Sequence, residues 1–360
     1  MKRLLLLFSL ALLFNSILSQ LNTDSLWSVW HNENQTNENR FNSIQKIIRP
    51  TLFFQPDSAF IFAQWQLDYA KSINDKYQMA NALNMQGISY HLRSDYENSI
   101  KYLLKSIDLY KEIDNLKNLA APLGNLGIIY QDKGDIKNAI KYYNESLDIY
   151  AELNDSSGVA ASLNNIGVIY EDLGNKENAI EYYNKSLLIY ENIKDKYGIA
   201  STLNNIGLIY MDKRQLNKSK ELFNNSLKLY AEIQDKQGIG TVLNGLGKIH
   251  QKNHKYKEAL TVFNASLNIQ EEIKDMEGVA VSLTDISKTY ELLNDHTNAI
   301  IYGEMAIKIS QEIGDAKEIR NAAESLYNSY KSTREYKSSL ENHELYFSMD
   351  DSIQSKENQK

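Results

Sequence analysis

Cysteine is absent from the 360 residues. The chain therefore holds no disulfide framework, no thiolate zinc site and no cysteine nucleophile. Proline and tryptophan occur only three times each, against 24 tyrosines. No Gly-x-Ser-x-Gly, no glycine-rich phosphate loop and no paired-carboxylate site stands out, so nothing supplies an enzyme's nucleophile, metal or cofactor, and none of the three is expected. After the first residues no segment is long and apolar enough to span a bilayer. A basic excess is lacking as well: Asp+Glu outnumber Lys+Arg 46 to 39, a formal charge of −7. That balance disfavours non-specific nucleic-acid binding and docking on anionic lipid.

What is present begins with the N-terminus. Lys2 and Arg3 precede an apolar run from Leu4 to Phe14, interrupted by Ser9, and small Ser19 precedes Gln20. This is the pattern of a secretory signal cleaved after Ser19, and the run is short for a membrane anchor of about 20 residues. The mature chain is expected to be exported, periplasmic or extracellular, with a formal charge of −9 once Lys2 and Arg3 are gone.

The dominant feature is a period of 40. Gly87, Gly127, Gly167, Gly207 and Gly247 recur at that spacing, followed three residues later by Tyr90, Tyr130, Tyr170, Tyr210 and His250. Ser99, Ala139, Ala179, Ser219 and Ala259 stand twelve residues after the glycines. A register held without insertion marks stacked units. Within a unit, Leu203, Ile206 and Tyr210, then Leu216, Phe223, Leu227 and Tyr230, recur at steps of three and four and near multiples of them. That spacing predicts two amphipathic helices per unit. Asp155, Asp195, Asp235, Asp275 and Asp315 stand where helix N-caps belong. The glycines and small residues let the two helices cross closely, and no unit buries both its faces alone.

Leu203-x-x-Ile206-Gly207-x-x-Tyr210, then Ser219-x-x-x-Phe223, resembles the tetratricopeptide repeat. The tryptophan of that motif is replaced by leucine (Leu83, Leu123, Leu163, Leu203, Leu243, Leu283), its helix-ending proline is missing, and the unit has 40 residues rather than 34. The resemblance implies an all-α fold, a right-handed superhelical solenoid of stacked antiparallel hairpins. The expected organisation is a signal segment over 1–19, an irregular lead-in over 20–39 and a degenerate N-terminal hairpin over 40–77. Six 40-residue units follow over 78–317, then a degenerate capping unit over 318–350 and a polar tail over 351–360. Ile47 and Pro50 replace the glycine and tyrosine of the degenerate hairpin, so its first helix is expected to be irregular.

The family binds protein or extended peptide along a concave groove lined by the first helices. Carried over, its groove positions fall on Ser201, Asn204, Leu208 and Met211, then on Asn244 with Lys248 and on Thr284 with Lys288. The lysine-and-asparagine carboxylate clamp of chaperone-binding members is not reproduced. Asparagines recur as the pairs Asn164–Asn165 and Asn204–Asn205, with Asn84, Asn125 and Asn244 as partial matches. They resemble the pairs of kinesin light chain repeats, which clamp a peptide backbone; asparagine offers both donor and acceptor. A bridge between neighbouring units fits them equally, with one asparagine of each pair in each role. Lys248 and Lys288 suggest a basic end of the groove, facing an acidic part of the partner. The signal segment, lead-in and repeat also resemble periplasmic sensor regions of Bacteroidetes signalling proteins, in which a membrane span and an output domain follow (histidine kinase, nucleotide cyclase or helix-turn-helix regulator).

Two patterns invite chemistry that the repeat explains better. His250 and His254 have a metal-compatible spacing, but His250 occupies the repeating tyrosine site and no zincin glutamate accompanies it. The sequons at Asn144, Asn184, Asn224 and Asn264 place Ser146, Ser186, Ser226 and Ser266 at the family's small packing site.

Overall fold

A computed structural model describes residues 23–358, all of it helix and short turns. The signal segment lies outside the described residues. A short α1 (residues 23–31) leads into α2 (Asn37–Phe54) and α3 (Pro56–Ser72). Hairpins of a first and a second helix follow: α4 (Lys76–Leu92) with α5 (Tyr96–Glu112), then α6 (Leu116–Asp132) with α7 (Ile136–Glu152). The series continues as α8 (Ser156–Asp172) with α9 (Lys176–Ile193), α10 (Lys196–Asp212) with α11 (Leu216–Glu232), and α12 (Lys236–Lys252) with α13 (Tyr256–Ile273). It ends in α14 (Met276–Leu292) with α15 (His296–Ile313) and α16 (Ala316–Thr333) with α17 (Tyr336–Asn358). Contacts divide the chain into two compact units, up to Asn154 and from Asp155.

Local chemistry sets the boundaries. Asp155, Asp195, Asp235, Asp275 and Asp315 each cap a first helix, the carboxylate accepting from a backbone N–H in the first turn. Between the two helices of a hairpin one residue turns left-handed: Gly134 and Gly174 do so without strain, whereas Arg214 and His254 do so at a steric cost.

Four hairpins close by fitting an aromatic ring of the second helix over a glycine of the first, and in α4–α5 Leu103 takes the ring's place over Gly87. Tyr143 covers Gly127, Tyr183 covers Gly167, Phe223 covers Gly207 and Phe263 covers Gly247. These four rings are at most 1% exposed. A second tie lies near the other end, where the buried hydroxyls of Ser146, Ser186, Ser226 and Ser266 donate to the carbonyls of Ala120, Ala160, Ala200 and Gly240 at 2.7–2.9 Å. The sequon serines are thus packing residues of the hairpin interior, as expected.

Two expectations are corrected. The lead-in is not irregular: α1 is helical, Trp30 is buried beside Phe41 and Tyr69, and α2 already starts at Asn37 with Thr36 as its cap. Nor is the first helix of the N-terminal hairpin irregular, since α2 runs 18 residues through Pro50. The donor lost at proline is outweighed by burial of Phe41, Ile44, Ile47, Ile48 and Leu52. The polar tail is helical as far as Asn358, within α17.

Candidate functional site

Within the second unit, α8, α10, α12, α14 and α16 lie side by side, each touching the next. On α12 one stripe of residues, Gln237, Thr241, Asn244, Gly245 and Lys248, lines a cleft together with Leu208 of α10, Glu277, Gly278 and Val281 of α14, and Gln270 of α13. The cleft measures about 300 Å³. Steps of four, three, one and three put these α12 residues on one helix face. The same register on α10 carries Ser201, Asn204, Asn205 and Leu208.

The asparagines form a ladder between consecutive hairpins. In the first unit Asn125 Nδ2 donates to Asn84 Oδ1 at 3.0 Å. In the second, Asn205 Nδ2 donates to Asn164 Oδ1 at 3.5 Å, and the Thr202 hydroxyl reaches the same oxygen at 3.4 Å. Asn244 Oδ1 accepts from Ser282 at 2.9 Å. In each pair so bridged, the first asparagine offers its oxygen to the following hairpin. Asn204 breaks the pattern. The counterparts of the donors Thr202 and Asn205 one hairpin on are Val242 and Gly245, which carry no side-chain donor, and the buried Oδ1 of Asn204 has no partner. Asn84, Asn204 and Asn244 are buried, whereas Asn125, Asn164, Asn165 and Asn205 are half-buried.

The other carried-over positions separate. Leu208 and Lys248 line the cleft, while Met211 sits 6% exposed among the core residues Phe223, Tyr230 and Leu246. The basic end expected from the lysines is corrected. Lys248 Nζ lies 3.2 Å from Asp285 Oδ2, and Lys288 is held by both oxygens of Glu291 at 2.9 and 3.1 Å. Asp275 and Glu277 add further negative charge beside the cleft. Burial and the neighbouring carboxylates Asp275, Asp315 and Glu318 raise the Glu277 carboxyl above the usual range. Aspartates at the ends of two first helices also have partners: Asp132 pairs with His91 at 2.6 Å and Asp212 with Lys176 at 3.1 Å.

Asp285 gives a pH signature. Burial pushes its carboxyl up to about 6, against the opposing pull of Lys248. Burial also disfavours the Lys248 ammonium, but Asp285 outweighs it and holds that pKa above the usual value. A carboxyl raised on folding favours the native state fully below its unfolded pKa, and this contribution is lost as pH rises through about 6. Removing the carboxyl removes that loss. The stability of Asp285→Asn relative to wild type should therefore be more favourable at pH 8 than at pH 4, by about 2 kcal/mol. Urea melts at both values measure it; a difference that stays flat with pH would refute the assignment.

Sequence reading missed Gln270, Gly245, Gly278 and Asp285. A signal for the first was available: Tyr110, Tyr150, Tyr190 and Tyr230 recur at 40 residues, and Gln270 breaks the series.

Among the described residues no helix is long and apolar enough to cross a membrane, and no group of three or more metal-ligating side chains is arranged around one point. No curated protein matches the sequence significantly. Among solved structures, the chain is similar to the apo quorum sensor NprR from B. thuringiensis (TM-score 0.63, 17% identity, 94% of each chain covered). It is also similar to a Rap protein complexed with competence and sporulation factor (0.64, 14% identity, 94% of this chain and 93% of that one). A third is the Rap conjugation gene regulator of the plasmid pLS20 in complex with the Phr* peptide (0.63, 16% identity, 79% and 77%). At these identities the likeness is one of fold, an all-α helical repeat solenoid. The tetratricopeptide repeat family model matches residues 78–152, 118–192, 198–272 and 238–312, together more than half of the sequence, and the chain belongs to that family.

Proposed function

We propose that the chain is a binding scaffold without catalytic activity of its own, whose first-helix face takes an extended peptide or an unfolded segment of a partner protein. One observation carries this reading: the buried, partnerless Oδ1 of Asn204 lies on the stripe whose α12 counterpart lines the cleft. A buried acceptor left unmade costs about 1–3 kcal/mol, and a peptide N–H would recover it. Two of the structural relatives were solved with competence and sporulation factor and with the Phr* peptide, which supports a peptide as the ligand class. The signal-like residues 1–19 support export, which fractionation of expressing cells would check.

A display library of random peptides, panned on the purified protein, tests the reading. Selected peptides should slow amide exchange in α8, α10, α12 and α14 and leave α9, α11 and α13 unchanged. Protection confined to the second helices, or no enrichment at all, would sink it. A second reading, the sensor region of a membrane signalling protein, is favoured by α17, which has 23 residues where α2 to α16 have 17 or 18. Reading the transcript beyond the codon for Lys360 separates the two: a membrane span and an output domain would support the sensor, and an immediate stop would remove it.

A further inference from the structure

The cleft between α12 and α14 lies where the repeat elsewhere keeps a tyrosine. In the hairpins before it, the second helix sends a buried tyrosine onto a glycine at the start of the next first helix. Tyr190 lies against Gly198 and Tyr230 against Gly238, each so close that a Cβ on the glycine would stand 2.4 Å from the ring. The phenol ends at a polar side chain 29 residues earlier: Tyr110 Oη donates to Asn81 Oδ1 at 2.9 Å, and Tyr230 meets Ser201. In the next hairpin the glycine is retained as Gly278 and the polar residue as Thr241, but the tyrosine is replaced by Gln270. Both retained residues line the cleft, and Gln270 is its floor, 2% exposed. The Oε1 of Gln270 accepts from Ser282 at 2.6 Å, and its Nε2 lies against Gly278.

We infer that this cleft is a socket for one tyrosine side chain of the bound segment, which would stand over Gln270, beside the place that the chain's own ring takes in the neighbouring hairpins. The inference rests on the first-helix face being the binding face. Shape supports it: a cavity of about 150 Å³ already accepts benzene, and this one has about 300 Å³. Chemistry supports it too. Leu208 and Val281 supply apolar walls, the Thr241 oxygen can accept the phenol O–H, and Gln270 Nε2 can donate to the phenol oxygen. Asp275 and Glu277 beside the cleft disfavour an anion, and Lys248 is already paired with Asp285, so tyrosine is preferred over its phosphorylated form.

Saturation-transfer NMR on the whole protein tests the socket with three small probes: N-acetyl-tyrosinamide, N-acetyl-phenylalaninamide and N-acetyl-leucinamide. The tyrosine amide should bind several-fold tighter than the phenylalanine amide, with the leucine amide weakest. Gln270→Tyr refills the socket, so it should raise Tm and weaken the tyrosine amide at least tenfold. Thr241→Val should bring tyrosine down to the level of phenylalanine, and it carries the test alone if the first variant folds poorly. Equal binding of the three probes, or a folded Gln270→Tyr that binds as wild type does, would overturn the socket. Library peptides that bind the first helices without a tyrosine would also overturn it, while leaving the scaffold reading intact. If no peptide binds, yet the tyrosine amide still does so in a Gln270-dependent way, the socket stands and the scaffold reading falls.

Discussion

Gly247→Val is expected to lower the unfolding free energy by about 3 kcal/mol, at the upper end of overpacking costs. Helix propensity alone argues the opposite sign, because glycine is among the weakest helix formers, about 1 kcal/mol below alanine. Geometry decides between them. A Cβ on Gly247 would stand 2.4 Å from Phe263 Cε1 and 2.6 Å from Cδ1. Phe263 is fully buried and belongs to a cluster with Leu267, Leu283 and Ile286, so the ring has nowhere to swing. The hairpin must open instead. In a stacked array each hairpin is stabilised by its neighbours, so the damage should also broaden the melt. Phe263→Ala removes the obstruction, and the double variant should be less destabilised than the two single changes added together. Denaturant melts of the four proteins check this. A loss under about 0.5 kcal/mol for Gly247→Val, or strict additivity, would contradict the fit of ring over glycine.

That fit was legible in the sequence because it recurs. Gly207 and Phe223 have counterparts at a spacing of 40, and steps of three and four place each on the buried face of its helix. The aspartate caps were legible for the same reason. Where repetition stops, so does legibility. Residues 23–54 show no copy of the motif, and their helices follow from local burial of Trp30, Phe41 and Ile48, which no periodicity announces. The lysines of the stripe were read without the carboxylates that neutralise them. Asp285 lies 37 residues beyond Lys248, so it is brought near by the stacking of α14 on α12 and not by any local pattern. The turns hide a similar difficulty: Arg214 and His254 take the left-handed conformation that Gly134 and Gly174 fill in other hairpins, and neither residue type advertises it.

The asparagine ladder separates stability from binding. In the bridged pairs, Asn84 and Asn164 offer their oxygens to the next hairpin, while Asn125 and Asn205 reach back with their amides, and on the proposed binding reading their own oxygens meet the peptide. Asn165→Ala with Asn205→Ala is therefore expected to weaken a selected peptide about 10- to 100-fold, each lost hydrogen bond contributing about 0.5–1.5 kcal/mol. Tm should change little, because the Asn205 bridge is long at 3.5 Å and Asn164 keeps Thr202 as a second donor. Isothermal titration and thermal melts on the same samples would show the split; a fall in Tm that accounts for the lost binding would defeat it. Asn204 supplies the complementary test. Val242→Thr restores the hydroxyl that Thr202 offers to Asn164 one hairpin earlier. A buried valine replaced by threonine ordinarily loses stability, since the hydroxyl needs a partner. Here its single proton has an acceptor within reach in either direction: Thr202 lies 2.8 Å from the carbonyl of Gly198 and 3.4 Å from Asn164 Oδ1, and Gly238 and Asn204 occupy the corresponding places. The substitution should raise stability by about 1 kcal/mol, close to the worth of one satisfied acceptor. It should weaken the peptide at the same time, because the oxygen the peptide would have engaged is then already bonded.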